Sequence, residues 1–226
     1  MPAANAVLAA LPRRDYRRLL SDLEPVTLAF GDVLHEAGTL IRHVYFPVDC
    51  VVCLLTGTAG QRTVETGLVG YEGVIGVSLA LGVDVSSARA EVQSAGTALR
   101  MSAAHFNNAF RRCLPLQREL YRFTNTKLAQ ARQAAACFAS HPLEQRLACW
   151  LLMTSDRSRS QEIFLTQEYL ASVMNVRRES VTFSAGSLRT RNLISCHRGT
   201  IRILDRAGLE TVSCSCYQPI ESLSAK

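Results

Sequence analysis

The sequence predicts an α+β protein in which an N-terminal jelly-roll β-barrel is followed by a long helix and a C-terminal winged helix-turn-helix. Three observations indicate this order. Short runs of branched and aromatic residues alternate with turn residues between Val26 and Met101, which is typical of a barrel or sandwich. A segment rich in Ala, Leu, Gln and Arg then extends to Ser140. Beyond Thr166, two helical patterns meet at a short turn and lead into a strand pair.

The composition indicates a protein that buries a substantial core. Hydrophobic residues make up 48% of the 226 residues and charged residues 19%, which is ordinary for a globular protein. The net charge of +6 suits a nucleic-acid partner, although many basic proteins bind nothing acidic. No basic segment leads into an apolar run after Met1, and no apolar run approaches the ~20 residues of a membrane helix. We therefore expect a cytoplasmic protein.

The N-terminal half is predicted to begin with helix and to continue with strands. Apolar residues at helical spacing over 5–23 favour one or two short helices, broken at Pro12. The strands are predicted at 26–30, 44–46, 51–55, 64–66, 89–92 and 97–101.

Helices are predicted to return after Ser102, which is a suitable cap for a short helix ending at Phe110. A long helix over 116–140 carries one apolar stripe, which favours contact with a second copy of the chain; packing inside one domain is the alternative. Pro142 ends this helix, a further helix covers 143–154, and the polar stretch 155–161 is predicted to be a loop. The stripe comprises Leu120, Phe123, Thr124, Lys127, Leu128, Ala131, Ala134 and Ala135.

The segment from Thr166 has the pattern of a helix-turn-helix. Thr166 is a good N-terminal cap, and Glu168 suits the first turn of a helix. Asn175 tolerates the left-handed backbone conformation of a tight turn, and a second helix is predicted over 177–191. After it, alternating residues around Gly199 predict a two-stranded wing over 193–204.

The start of the second helix has the chemistry needed to read DNA bases. Arginine can donate two hydrogen bonds to guanine, and glutamate can accept one from cytosine, which makes Arg178 and Glu179 the leading candidates. For any single arginine here, a solvated surface charge is the alternative. The whole pattern predicts sequence-specific binding to double-stranded DNA. The expected contacts come from Thr166, Gln167, Arg177, Arg178, Glu179, Ser180, Thr182, Phe183, Arg198 and Thr200.

On these residues, 166–204 resembles the C-terminal winged helix-turn-helix of the CRP/FNR superfamily of bacterial regulators. The barrel-like 26–101 and the long helix resemble that family's effector domain and dimerisation helix. The resemblance implies a homodimeric transcription regulator that contacts RNA polymerase. Arg178 and Glu179 match the family's base-reading pair, whereas Phe183 replaces its third base-reading arginine and either contacts a thymine methyl or packs inward.

The resemblance also implies a division of the chain. It places an effector or sensor domain at 1–110, a dimerisation helix at 111–140 with the dimer contact at 116–140, and a DNA-binding domain at 141–226.

The sequence departs from the cyclic-nucleotide-binding members of that family in the effector pocket. Val77 stands where those members have a glutamate for the ribose, and Ser86 stands where they have an arginine for the phosphate. Shifting the alignment offers Arg89 instead. Without these anchors little remains to bind a phosphate, so we expect regulation that is independent of cAMP, by an unidentified effector or by none. The candidate pocket residues are Gly76, Val77, Ser78, Ser86, Ser87 and Arg89.

No cofactor or metal is predicted. The cysteine cluster of oxygen-sensing relatives is absent because no cysteine precedes Cys50, and Cys50 and Cys53 are expected on opposite faces of a strand. Cys214 and Cys216 would share one face of a strand and chelate or oxidise, but structural or incidental thiols are the favoured interpretation.

No enzyme is predicted, because the sequence lacks a Gly-rich phosphate loop, a nucleophile elbow and an HExxH zinc motif. Haem ligation through His43 or His105 stays open, although a lone histidine more often serves in the core or at the surface. The alternative function is a cyclic-nucleotide-responsive or redox-responsive module that acts through a protein partner. The basic wing and the Arg-Arg-Glu-Ser helix argue against it.

Overall fold

The structure is a computed structural model that describes residues 5–57, 63–197 and 199–217 of the chain. These residues divide into two compact units. The first extends to Thr56 and includes Gly67–Ala129, and the second comprises the described part of Gly57–Thr66 and the residues from Gln130 onward. Within the described ranges, no helix combines the length and the hydropathy that a bilayer crossing requires.

Two short helices open the first unit, α1 (Ala6–Ala9) and α2 (Arg13–Leu19), as the apolar spacing predicts. Asn5 caps α1 and is fully buried. Its side-chain nitrogen donates hydrogen bonds to the carbonyls of Pro47 at 2.9 Å and Gly73 at 2.8 Å. A buried amide with all these partners ties the first helix to the strand region that follows.

The strands of the N-terminal half form two sheets, with orders β1-β7-β3 and β2-β6-β4-β5. The six predicted strands are all present. The second strand was not predicted, because three residues are too few to show an alternating pattern. The bounds are β1 (Glu24–Leu28), β2 (Val33–His35), β3 (His43–Pro47), β4 (Val51–Gly57), β5 (Thr63–Val69), β6 (Arg89–Ser94) and β7 (Gly96–Ser102).

The core of the first unit consists of the inward side chains of these strands and of the long helix. Val44, Phe46, Val52 and Val92 have no exposed surface. Phe123 packs so closely on the backbone at Gly73 that any β-carbon there would overlap its ring. This approach explains the glycine, because only a residue without a side chain leaves room for the aromatic ring.

Two helices follow the sheets, α3 (Ala103–Arg112) and α4 (Leu114–Ser140). The Ser102 hydroxyl accepts a hydrogen bond from the His105 amide at 3.2 Å, so the predicted cap of α3 is confirmed. The predicted apolar stripe of α4 has two environments. Leu120 and Phe123 are buried in the core of the first unit, whereas Leu128 is exposed over 49% of its surface.

The second unit contains helices and one small sheet. Helix α5 packs against α7 and α8, and α6 packs against α7. The sheet has the antiparallel order β8-β10-β9. The bounds are α5 (Leu143–Ser158), β8 (Glu162–Phe164), α6 (Gln167–Val173), α7 (Arg178–Thr190), β9 (Ile194–His197), β10 (Thr200–Ile203) and α8 (Arg206–Val212). The predicted α+β class, with a β-sandwich, a long helix and a C-terminal helix-turn-helix, is confirmed.

The prediction of a loop over 155–161 is wrong in its first part. Helix α5 continues to Ser158 and is capped by Arg159, which has a left-handed φ of 52°. Arg157 is only 1% exposed, and its guanidinium donates to the Met153 carbonyl at 2.9 Å. The polar composition suggested solvent exposure, but these side chains find hydrogen-bond partners inside the unit.

None of the eight cysteines forms a disulfide bond, and six of them are buried. Burial raises the pKa of the Cys50 thiol to about 11, and burial together with the neighbouring Cys214 also raises the pKa of Cys137. The expectation that Cys214 and Cys216 lie on one strand is wrong, since both follow α8 in a turn.

Candidate nucleic-acid interface

The helix-turn-helix is formed by α6, a turn at Asn175 and α7. The Thr166 hydroxyl accepts a hydrogen bond from the Tyr169 amide at 3.1 Å, which confirms it as the N-terminal cap of α6. Asn175 has a φ of 51°, the left-handed conformation that the sequence predicts for the turn. The Val176 amide then donates to the Ala171 carbonyl at 3.0 Å and closes the turn.

Helix α7 has one buried face and one face entirely in solvent. Val181, Ser184, Ala185 and Leu188 are buried, at the spacing of a helix side that packs on its neighbours. The candidate base-reading side chains lie on the other side, and every one of them is exposed. They are Arg177, Arg178, Glu179, Ser180, Thr182 and Phe183.

Phe183 is the most informative of these residues, because the sequence left its direction open. It is 80% exposed, so it does not pack inward. A large apolar side chain held in water on a polar helix face buries surface only when a partner arrives. The structure thus excludes the inward-packed alternative and leaves the ring accessible on the outer face of α7.

The two helices are joined on this face by a polar contact. The Thr182 hydroxyl donates to the Gln167 side-chain oxygen at 2.8 Å, and it also lies 3.0 Å from the Arg178 carbonyl. Gln167 is the first residue of α6, next to the cap Thr166. The structure thus brings the predicted contact residue Gln167 to the first turns of α7.

Two adjacent arginines stand at the start of α7. Arg177 and Arg178 make no ion pair with the described residues, whereas Arg191, just past the helix end, pairs with Glu144 at 3.2 Å. Unpaired guanidinium groups at an exposed helix start are free to meet phosphate or base edges.

The wing is a sheet of three strands, where the sequence predicted two. Strand β8 pairs with β10, with Phe164 opposite Thr200, and the Leu165 amide donates to the Gly199 carbonyl at 2.7 Å. Thr200 is half-buried at the start of β10. Arg198 lies outside the described residues. Phe164 is 61% exposed beside the turn, and sequence analysis missed it because its strand has only three residues.

The predicted effector residues lie in the first unit, around a short 3₁₀ helix at Val77–Leu81 that begins after Gly76. Val77 is half-buried and packs on the apolar core. Arg89 pairs with Glu36 at 2.5 Å and with Glu91 at 2.9 Å. The Arg89 guanidinium is thus engaged by two carboxylates of its own unit.

Two of the remaining effector candidates make local hydrogen bonds within their own loops. The Ser86 hydroxyl donates to the Ala88 carbonyl at 2.7 Å, and the Ser78 carbonyl accepts from the Val83 amide at 3.0 Å. Ser87 is exposed. The two histidines that sequence analysis considered for haem are separate: His43 is half-buried in β3, and His105 pairs with Asp22 at 3.6 Å on the surface.

A helix-turn-helix with a β-wing defines the class of this C-terminal unit, and comparison with known proteins agrees. Residues 145–212 match the family model of the Crp-like helix-turn-helix domain. No curated protein matches the sequence.

Solved structures share the fold of nearly the whole chain. A CRP-family transcriptional regulator of Thermus thermophilus has a TM-score of 0.71 at 19% identity, over 86% of this chain and 99% of its own. FixK2 of Bradyrhizobium japonicum has a TM-score of 0.72 at 14% identity, over 85% and 98%. The c-di-GMP-responsive regulator CLP of Xanthomonas campestris has 0.68 at 13%, over 85% and 99%. The chain therefore carries a Crp-like helix-turn-helix domain and has the fold of CRP/FNR-type transcription regulators.

Proposed function

We propose that this chain is a homodimeric regulator of transcription that binds a specific double-stranded DNA sequence without requiring cAMP. The observation that carries the proposal is the outward face of α7. Arg178, Glu179, Thr182 and Phe183 are all exposed there, while the opposite face is buried. Side chains at the start of a recognition helix reach base edges in the major groove.

The residues around this face support the same role. Thr166 and Gln167 at the start of α6, Arg177 before α7 and Ser180 within it can bind phosphates that position the helix. The wing would add contacts to the DNA backbone through Thr200 and Arg198. The net charge of +6 favours approach to DNA from any direction.

The dimer is proposed to form along α4, within 116–140. Tyr121 and Leu128 are 50% and 49% exposed, and they lie one heptad apart on this helix. Ala131 and Ala135 continue the exposed side. Apolar residues at heptad spacing on a long helix are typical of a helix-helix dimer contact, which would present two recognition helices to two half-sites.

Independence from cAMP is supported by the first unit. Val77 offers no carboxylate, Ser86 bonds its own loop and Arg89 is held by two acidic side chains. Among the candidate pocket residues that the structure describes, the one arginine is therefore already paired with carboxylates, which weakens the case for a phosphate ligand. Any effector would therefore be recognised by other chemistry. Regulation would follow contact with RNA polymerase, and the site of action would be the cytoplasm.

Selection from a pool of random duplex DNA tests the proposal. The full-length chain should enrich one palindromic motif, equally with and without cAMP. The Arg178→Ala variant should bind this motif roughly 5- to 150-fold more weakly, the value of about 1–3 kcal/mol for a bidentate base contact. Arg189→Ala removes the same charge from the last turn of α7 and should retain the motif.

Three results would contradict the proposal. Enrichment only with cAMP would refute its independence of the nucleotide. Equal losses in the Arg178 and Arg189 variants would mean that charge, not base contact, controls binding. Absence of any motif, with only weak and steeply salt-dependent binding, would favour a module that acts on a protein partner.

A further inference from the structure

Four metal-ligating side chains meet in the second unit, away from the helix-turn-helix. Cys137 and His141 come from the end of α4, and Cys214 and Cys216 follow α8. Their four ligand atoms all lie within 4.8 Å of one another. The sulfurs of Cys137 and Cys214 are 3.4 Å apart, and the Cys216 sulfur is 3.5 Å from Nδ1 of His141.

Local structure brings Cys137 close to His141, and Cys214 close to Cys216. The His141 amide donates to the Cys137 carbonyl at 3.0 Å, so helical geometry continues and both side chains project from one face. The Tyr217 amide donates to the Cys214 carbonyl at 3.0 Å and folds the tail into a turn. The Tyr217 hydroxyl donates to Asp156 at 2.8 Å and anchors that turn.

The spacing matches a single tetrahedral ion. Zinc bonds sulfur at about 2.3 Å and histidine nitrogen at about 2.0–2.1 Å. A tetrahedron with those bonds has edges of about 3.8 Å between sulfurs and about 3.5 Å between sulfur and nitrogen. Two of the observed distances, 3.4 and 3.5 Å, differ from these edges by a few tenths of an ångström, and all four ligand atoms lie within 4.8 Å of one another. An iron-sulfur cubane would hold its thiolates much farther apart, because irons and sulfides lie between them.

We propose that Cys137, His141, Cys214 and Cys216 bind one Zn²⁺ ion as a structural site. Three thiolates and one imidazole are a complete tetrahedral donor set, with no position left for a substrate. Binding converts three thiols to thiolates and transfers three protons to solvent, and the zinc complex then carries one net negative charge. No electron transfer is involved.

The surroundings suit this charge. The Gln133 side-chain nitrogen donates to the Cys216 sulfur at 3.0 Å. The Arg146 guanidinium stacks 3.9 Å from the centre of the Phe138 ring and interacts electrostatically with Cys137 and Cys214. Hydrogen bonds and a nearby cation around the ligands are the usual support of a metal site.

The ion would join distant parts of the second unit. Cys137 and Cys214 are 77 positions apart, and α5, the helix-turn-helix and the wing lie between them in sequence. A metal that closes so long a loop restricts the unfolded chain and stabilises the folded unit. This inference goes beyond the proposed function and holds whether or not the protein binds DNA.

Metal analysis of the full-length protein, purified without chelator and freed of any histidine tag, is the test. One zinc per chain is expected. Replacement by Co²⁺ should produce the visible absorption bands of tetrahedral cobalt with thiolate ligands. Removal of the metal by a chelator should lower the midpoint of thermal unfolding by roughly 10 °C, the effect of a ligand held far above its dissociation constant.

Variants assign the ligands. Cys216→Ser and His141→Ala should weaken the cobalt bands and reduce the bound zinc, whereas Cys196→Ser, a half-buried thiol in the wing, should leave both unchanged. If a ligand variant fails to fold, the cobalt spectrum of the wild-type chain still shows whether a tetrahedral thiolate site is present. Three results would each overturn the proposal. They are the absence of both zinc and a cobalt spectrum, an iron-sulfur chromophore, and a disulfide between Cys137 and Cys214 in the protein as purified.

Discussion

Replacing Phe183 by alanine separates the stability of the protein from its affinity for DNA. Because Phe183 is 80% exposed, folding gains only about a fifth of the roughly 1.5–3 kcal/mol that complete burial of a phenylalanine provides. The loss of about 0.3–0.6 kcal/mol is offset by the better helix propensity of alanine, up to about 0.7 kcal/mol. We expect the midpoint of thermal unfolding to change by less than about 2 °C.

On DNA, the other four-fifths of the ring is available for contact with thymine methyl groups. At the same value per unit of surface, that contact contributes about 1.2–2.4 kcal/mol. Phe183→Ala should therefore raise the dissociation constant for the selected operator roughly 8- to 60-fold. Fluorescence anisotropy of a labelled operator, at one fixed salt concentration, measures this change.

The control for this experiment is Phe30→Ala, which removes a ring of 53% exposure in the first unit. Its affinity for the operator should equal that of the wild type. If the Phe183 variant also binds within about twofold of the wild type, the exposed face of α7 does not contact the bases, and the proposed orientation of the recognition helix is refuted.

Three further predictions concern stability and assembly. Asn175→Ala should lower the free energy of unfolding by about 1–2 kcal/mol in urea titrations, because alanine is strained at a φ of 51°. Asn175→Gly should not lower it, and equal stability of the two variants would argue against the left-handed turn. Gln93→Leu should raise the free energy of unfolding by about 1–2 kcal/mol, because the Gln93 side chain is 1% exposed and its amide has no hydrogen-bond partner among the described residues. A lower free energy of unfolding would show that the amide is satisfied. Leu128→Glu should convert the dimer to a monomer of 24.8 kDa in light scattering, because a charge would enter the apolar contact. An unchanged dimer would mean that the contact does not lie on this face of α4.

Local patterns in the sequence determined most of the secondary structure and the position of the recognition helix. The Thr166 cap, the turn at Asn175 and the Ser102 cap each depend on a residue's effect on its own backbone neighbourhood, and all three are as predicted. Such effects are visible in sequence because they act over a few residues. Arg178 and Glu179 could be identified as candidates for the same reason.

Tertiary structure decided what depends on residues far apart in the chain. Strand β8 has three residues and exists because β10 pairs with it, and Arg157 is only 1% exposed because the packed unit covers it. Phe183 could not be oriented from sequence, since its neighbours allowed packing or exposure. Cys137 and Cys214 meet across 77 positions, and no local spacing predicts such a meeting, because only the packed fold brings the two segments together.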